Sequence, residues 1–298
     1  METVDLNLTG PEFSRIANNY YNSQGLVSDI NRINVDANLF NYFIAHASDA
    51  KKKYKVAFLW ICLNPPYWQF AKNMIEGARN LFLPGHDVDY FLWSDMPETK
   101  EQVHEAILKH LSQTNVNLDA NAMKEVVQVT DDIYSLRKIS NLTIFPADPI
   151  EWPMPTLLRY HTFLQQEEIL KDYDYIFYCD VDMAFVNVVG DEILGDGITA
   201  GTNPMYHLDS TMIPPYEPNP NSSAFINRPG KVVPDPSSSV GKRFYPYYYA
   251  GGFNGGKADK FIELSKACRK MVDKDLSNNY IAIWNDESYL NRYLFDNP

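Results

Sequence analysis

Apolar positions along this chain follow two rhythms. Residues 56–63 and 175–179 are unbroken apolar and aromatic runs, Val56-Ala-Phe-Leu-Trp-Ile-Cys-Leu63 and Tyr175-Ile-Phe-Tyr-Cys179. Runs of this length and β-branched or aromatic content predict strands buried on both faces. Shorter runs at 88–93 and 142–145 predict two more. Between them Phe70, Met74, Ala78 and Leu81 recur at helical spacing, ahead of Leu83-Pro84-Gly85, and predict a helix that ends there. The same spacing predicts helices over about 101–112, 155–171 and 258–276, the last with Phe261, Leu264, Cys268, Met271 and Val272 on its buried face. Strand, helix, strand in alternation implies right-handed parallel crossovers and an open α/β sheet. Ligands of such sheets bind beyond the carboxyl ends of the strands, where Asn64, Asp95 and Asp180 fall.

Outside that alternation the pattern weakens. Residues 1–54 are polar and Asn-rich with amphipathic fragments, and predict an N-terminal helical extension to a main domain over 55–298. Residues 214–236 hold seven prolines among Ser and Asn, so a long loop is expected, of the kind that is functional or mobile. Gly251-Gly252-Phe253-Asn254-Gly255-Gly256-Lys257 matches the opening of a phosphate-binding loop, but Ala258 stands where that loop needs Ser or Thr for its metal. A tight strand-to-helix turn, letting backbone approach a ligand, is the reading that remains.

Composition narrows the class. The chain has 298 residues, 45% of them hydrophobic, and a formal net charge of −12, which argues against non-specific nucleic-acid binding. No apolar run is long enough to span a bilayer, and Met1-Glu-Thr-Val-Asp-Leu lacks the basic and apolar regions of a signal peptide. A cytoplasmic protein with no membrane span is expected. Cys62, Cys179 and Cys268 are widely spaced and odd in number, predicting buried free thiols.

Two acidic pairs carry the candidate chemistry. Asp180 and Asp182 leave a wholly apolar strand on the same side, two residues apart. Carboxylates pinned so close to a core are costly, and a Mg²⁺ or Mn²⁺ ion shared with a diphosphate would offset that cost. A turn satisfied by backbone amides is the plainer alternative. Asp286 and Glu287, in Trp284-Asn-Asp-Glu-Ser288, suit a helix start, where acidic groups favour the dipole. A carboxylate fixed there is also well placed to face a developing sugar cation.

Several separated motifs together resemble the blood-group A/B and α1,3-galactosyltransferase family, glycosyltransferase family 6. Gly85-His86-Asp-Val-Asp-Tyr90…Ser94-Asp95 resembles its GHxVxYYxFTD segment, and Trp152…Arg159 its Trp and Arg before the metal strand. Cys179-Asp-Val-Asp-Met183 resembles its metal motif, and Tyr216-Glu217…Ala224-Phe225-Ile226 its YERR…AYI. Tyr249-Ala-Gly-Gly-Phe-Asn-Gly-Gly256 resembles YYLGGFFGG, and Trp284-Asn-Asp-Glu-Ser-Tyr-Leu-Asn291 resembles WHDESHLN.

The resemblance implies a GT-A-like fold: an open mixed sheet flanked by helices, with a Rossmann-like nucleotide-binding half and an acceptor half. It implies a retaining enzyme moving GalNAc or Gal from a UDP-sugar to a galactoside, on an oligosaccharide or glycolipid, in α1,3 linkage. By resemblance Asp180 and Asp182 hold Mn²⁺ (or Mg²⁺), and Cys62, Leu63, Asn64 and Tyr67 lie along the uridine. Val181, Ala250, Gly251 and Gly252 line the donor. Arg159 and Asp286 hold donor-sugar hydroxyls, Glu287 sits beneath the anomeric carbon, and Trp284, Asn203 and Glu287 meet the acceptor. Ala250 and Gly252 are small, so an acetamido group fits and UDP-GalNAc is favoured over UDP-Gal. Asn285 and Asn203 depart from the family's His. A UDP-sugar hydrolase and a non-catalytic carbohydrate- or nucleotide-binding module are the alternatives.

Overall fold

A computed structural model describes residues 52–114, 118–203, 206, 214–227, 232–234, 242–244 and 248–297. The predicted extension over 1–54 lies outside the described residues except for its last three, which run without helix into the first strand.

The two unbroken apolar runs become neighbouring central strands. β1 (Lys55–Cys62) is buried from Val56 to Trp60, and β4 (Tyr175–Cys179) is buried throughout. They pair in parallel, Leu59 opposite Tyr178. β2 (Asp87–Ser94) lies parallel on the other side of β1, and β3 (Leu142–Pro146) parallel beyond it. β5 (Ile198–Thr202) and β8 (Tyr249–Lys257) complete a six-stranded mixed sheet in the order β3-β2-β1-β4-β8-β5. Because β8 runs antiparallel to β4, with Cys179 opposite Phe253, its first residues arrive at the carboxyl end of the parallel strands. The order reverses between β1 and β4, and the crevice at such a switch point is where open α/β sheets bind ligands. β6 (Val232–Pro234) and β7 (Lys242–Phe244) pair antiparallel as a separate two-stranded sheet.

Alternation along the strands splits the core. Phe58, Trp60 and Phe177 face α1 (Pro65–Leu81), which buries Trp68, Met74 and Ile75. On that side α2 (Lys100–Gln113) packs against α3 (Ala120–Ser135). Leu59, Trp93, Ile176 and Tyr178 face the other layer, built from Phe163, Phe261, Leu264 and Tyr289. That layer holds α7 (Ala258–Ser277) and α8 (Asn285–Asp296).

The structure departs from expectation in three places. The helix expected over 155–171 is three short ones, α4 (Met154–Leu157), α5 (Arg159–Leu164) and α6 (Glu167–Leu170). The break at Leu158 (φ −97°, ψ 11°) starts α5 at Arg159 and turns that side chain into the sheet's end. Helix α3 is an addition, capped by Asp119, whose carboxylate accepts from Asn121 N and Ala122 N. The glycine cluster is no turn but the interior of β8. A Cβ on Gly255 would stand 2.3 Å from the Phe177 ring, and Gly256 has φ 149°, so glycine is there because β4 approaches too closely for a side chain.

Candidate active site

Three chain segments meet at the switch point, each delivered by a different element. β4 ends at Asp180, whose amide donates to Gly252 O at 2.8 Å, extending the ladder one residue past the strand. α8 starts at Asn285 (φ 47°) and carries Asp286 and Glu287 in its first turn. Asn291, one side chain further down α8, fastens that helix to β8. Its amide accepts from Tyr249 N at 2.9 Å and donates to Tyr249 O at 2.8 Å. The result sets Glu287 over Gly251, whose amide donates to Glu287 Oε2 at 2.7 Å.

Arg159 ties the pieces together from below, with only 2% of its surface exposed. Its Nη1 donates to Gly251 O at 2.9 Å, and its Nε to Thr156 O at 3.2 Å. Nη2 lies 3.3 Å from Asp180 Oδ1 and Nε 3.1 Å from Asp286 Oδ2. Burial works against its charge, yet Asp286 and then the Tyr178 and Asp180 side chains outweigh it and push the guanidinium's pKa further up. The Nε proton is spent on Thr156, so Asp286 Oδ2 has an ion-pair partner but no hydrogen bond. Desolvation raises the Asp286 carboxyl to about 7, against the pull of Arg159.

The glycines leave little room here for a side chain. A Cβ on Gly251 would come within 3.1 Å of Asp286 Oδ2 and 3.3 Å of Glu287 Cβ, and one on Gly252 within 3.0 Å of Asp180 Oδ2 and 3.1 Å of Met183 Sδ. Ala250 beside them is half-buried. Asp180 and Glu287, more than a hundred residues apart in sequence, are thus held against consecutive residues of one strand.

Of the remaining expected residues, Asn64 (φ 73°) lies between β1 and α1, held by its amide to Asp95 Oδ1 at 2.9 Å and by its side chain to Ile150 O at 3.2 Å. Trp68 Nε1 shares Asp95 Oδ1 at 2.8 Å. Tyr67 is 43% exposed, whereas Cys62, Leu63 and Val181 are buried and can meet a ligand through backbone only. All three cysteines are free and buried; burial, then Asp95 and Asp182, push the Cys62 thiol up. Asp182 is exposed. Trp284 caps α8 with 47% of its surface open. Asn203 follows β5 and donates its amide to Tyr248 O at 2.9 Å. The roles of Tyr178 and Asn291 escaped the reading of the sequence; for Tyr178 the signal was its place two residues before Asp180 in an extended run. A cleft of about 600 Å³ lies instead at the amino ends of β1 and β4, lined by Tyr54, Tyr173, Tyr175 and Lys257, and none of the expected residues reaches it.

These carboxylates cluster at the switch point of a mixed α/β sheet, a fold consistent with GT-A-like glycosyltransferases. Residues 154–298 match the model of glycosyltransferase family 6, and through them the chain belongs to that family. It is 25% identical over 233 residues to the human (Homo sapiens) globoside alpha-1,3-N-acetylgalactosaminyltransferase 1, covering 78% of this chain and 54% of the relative. It is 28% identical over 230 residues to histo-blood group ABO system transferase 1 of Rattus norvegicus, 76% of this chain and 53% of the relative. With the O-antigen biosynthesis glycosyltransferase WbnI of Escherichia coli it shares 29% over 169 residues, 56% and 66%. The chain spans about half the length of the first two. No helix among the described residues is long and apolar enough to cross a membrane.

Proposed function

We propose that this protein is a metal-dependent retaining glycosyltransferase, moving GalNAc or Gal from a UDP-sugar to a galactoside hydroxyl in α1,3 linkage. The observation that carries it is the convergence of Asp180 with Asp286 and Glu287 across Gly251 and Gly252, around one buried arginine. The names of the human and rat relatives support a sugar-transfer reading, and the first supports GalNAc.

The donor set fits a divalent cation. Asp180 Oδ2 and the exposed Asp182 carboxylate make no hydrogen bond among the described residues, and no third His, Cys, Asp or Glu closes a metal cluster with them there. Two carboxylates, with the other positions left to phosphate oxygens and water, suit Mg²⁺ or Mn²⁺ travelling with a nucleotide. Asp180 and Asp182 would hold it, and once bound it would neutralise the departing diphosphate.

The chain's own groups do the rest. Asp286 Oδ2, buried and without a hydrogen bond, accepts from a donor-sugar hydroxyl. Arg159, shared between the two acids, sets Asp286 and Asp180 at their spacing. Glu287, with Oε2 anchored on Gly251 N, turns its other oxygen to the anomeric carbon as nucleophile or as stabiliser of an oxocarbenium-like state. The backbone ends at Cys62, Leu63 and Asn64, with the Tyr67 ring, form the uridine side, and Trp284 and Asn203 the acceptor side. The space beside Gly252 is taken by Asp180 and Met183, so the size of Ala250 decides whether an acetamido group is admitted.

The experiment is UDP release from UDP-GalNAc and UDP-Gal, with and without Mn²⁺ and with a β-galactoside acceptor. Acceptor-dependent release with GalNAc preferred, lost in excess chelator, is expected. Release indifferent to acceptor would make it a hydrolase, binding without turnover a module, and full turnover in chelator would remove the metal.

A further inference from the structure

We propose that Tyr178 is a positioning residue, whose hydroxyl turns the Asp180 carboxylate so that one oxygen faces inward and one outward toward the cation. The inference rests on the reading of Asp180 as a metal ligand.

Tyr178 points to the α7–α8 side of β4, two residues before Asp180, so both side chains leave the backbone in the same direction. Its ring is buried, packed on Phe163 with centroids 5.2 Å apart, and lies under the Arg159 guanidinium at 4.4 Å. A phenylalanine would make the same contacts, so packing does not account for the hydroxyl. The hydroxyl donates to Asp180 Oδ1. Arg159 Nη2 approaches the same oxygen at 3.3 Å. Both inward partners thus converge on Oδ1, while Oδ2 lies on the Gly252 side, where an added Cβ would stand 3.0 Å from it, and the side chain keeps 34% of its surface exposed. The cation contact of Arg159 is shared with Asp286 and Gly251 O, so it cannot choose the rotation of Asp180 alone. The tyrosine hydroxyl has no other hydrogen-bond partner among the described residues and can. A carboxylate locked in this way presents a single oxygen and is spared the entropy of being ordered when the ion arrives.

Tyr178→Phe keeps the ring and deletes the hydroxyl. Titrating the protein with Mn²⁺ in the presence of UDP, read by the electron paramagnetic resonance of free Mn²⁺, should show about tenfold weaker binding in the variant. KM for the sugar donor at saturating Mn²⁺ should change little and the melting temperature should hold. In metal-free protein, adding Tyr178→Phe to Asp180→Ala should shift melting no further than Asp180→Ala alone. Equal Mn²⁺ affinity in the two proteins, or failure of Tyr178→Phe to fold, would overturn the assignment. Wild-type protein that takes up no Mn²⁺ with UDP would instead remove the metal reading beneath it, and the inference with it.

Discussion

Two groups of carboxylates flank the connection between α7 and α8, and the fold treats them in opposite ways. On one side Glu217 and Asp275, each 1% exposed, are saturated with donors. Glu217 accepts from Asn219 N and the Tyr280 hydroxyl on one oxygen and from Ile283 N on the other. Asp275 accepts from the Ser222 hydroxyl, Ser223 N and the Tyr289 hydroxyl. Neither has a cation partner among the described ion pairs. On the other side Asp286 Oδ2 has no hydrogen bond, Arg159 is divided between two acids, and Asp182 is open to solvent. A carboxylate that fastens a loop is filled with backbone amides and hydroxyls, which satisfy its charge without a counter-ion. One that awaits a ligand keeps free capacity. Unfilled buried capacity, more than acidity, separates the site from its surroundings.

The largest expected effect comes from Glu287→Gln, which keeps an oxygen for Gly251 N but removes the charge. We expect kcat to fall by about 10²–10³, with UDP binding and melting temperature preserved. Unchanged kcat would break the comparison at its functional half. Asp275→Ala tests the other half. It strands two hydroxyls and an amide in the interior and should cost about 3 kcal/mol in a denaturant melt, with the kcat of the folded fraction kept. If activity collapsed while stability held, Asp275 would belong with the site.

The two halves were unequally legible in the sequence. The strands carrying Cys62 and Asp180 announce themselves because they are buried on both faces, so no polar residue interrupts them. The acidic starts of the site follow from strand-end and helix-start chemistry. β8 was hidden because glycine is poor in strands; only the approach of Phe177 and Ile176, a tertiary fact, explains Gly255. The span 155–171 breaks at Leu158, whose backbone turns Arg159 inward, and again at Gln165–Gln166, and spacing alone cannot show either break. Arg159 entered by resemblance as a sugar contact, and its pairing with both Asp180 and Asp286 adds the part of a strut between them. The saturation of Glu217 and Asp275 comes from partners dozens of residues away, Ile283 and Ser222 among them, which no local pattern reveals.

The smallest effect is the most diagnostic of unfilled capacity. Desolvation raises Asp286 from its ordinary 3.8 to about 7, so the folded protein holds this proton more tightly than the unfolded chain. Its contribution to stability is therefore complete at low pH and is lost as pH rises from about 4 to about 7, the reverse of a salt-bridged aspartate. Asp286→Asn cannot titrate, so in metal-free protein its melting temperature should fall less between about pH 5 and pH 8 than that of the wild type. Groups that do not interact with Asp286 are common to both proteins and cancel in the difference. Equal slopes would mean that Arg159 satisfies Asp286 as fully as Ser222, Ser223 and Tyr289 satisfy Asp275. The contrast between the two sides of the α7–α8 connection would then rest on Asp182 and Glu287 alone.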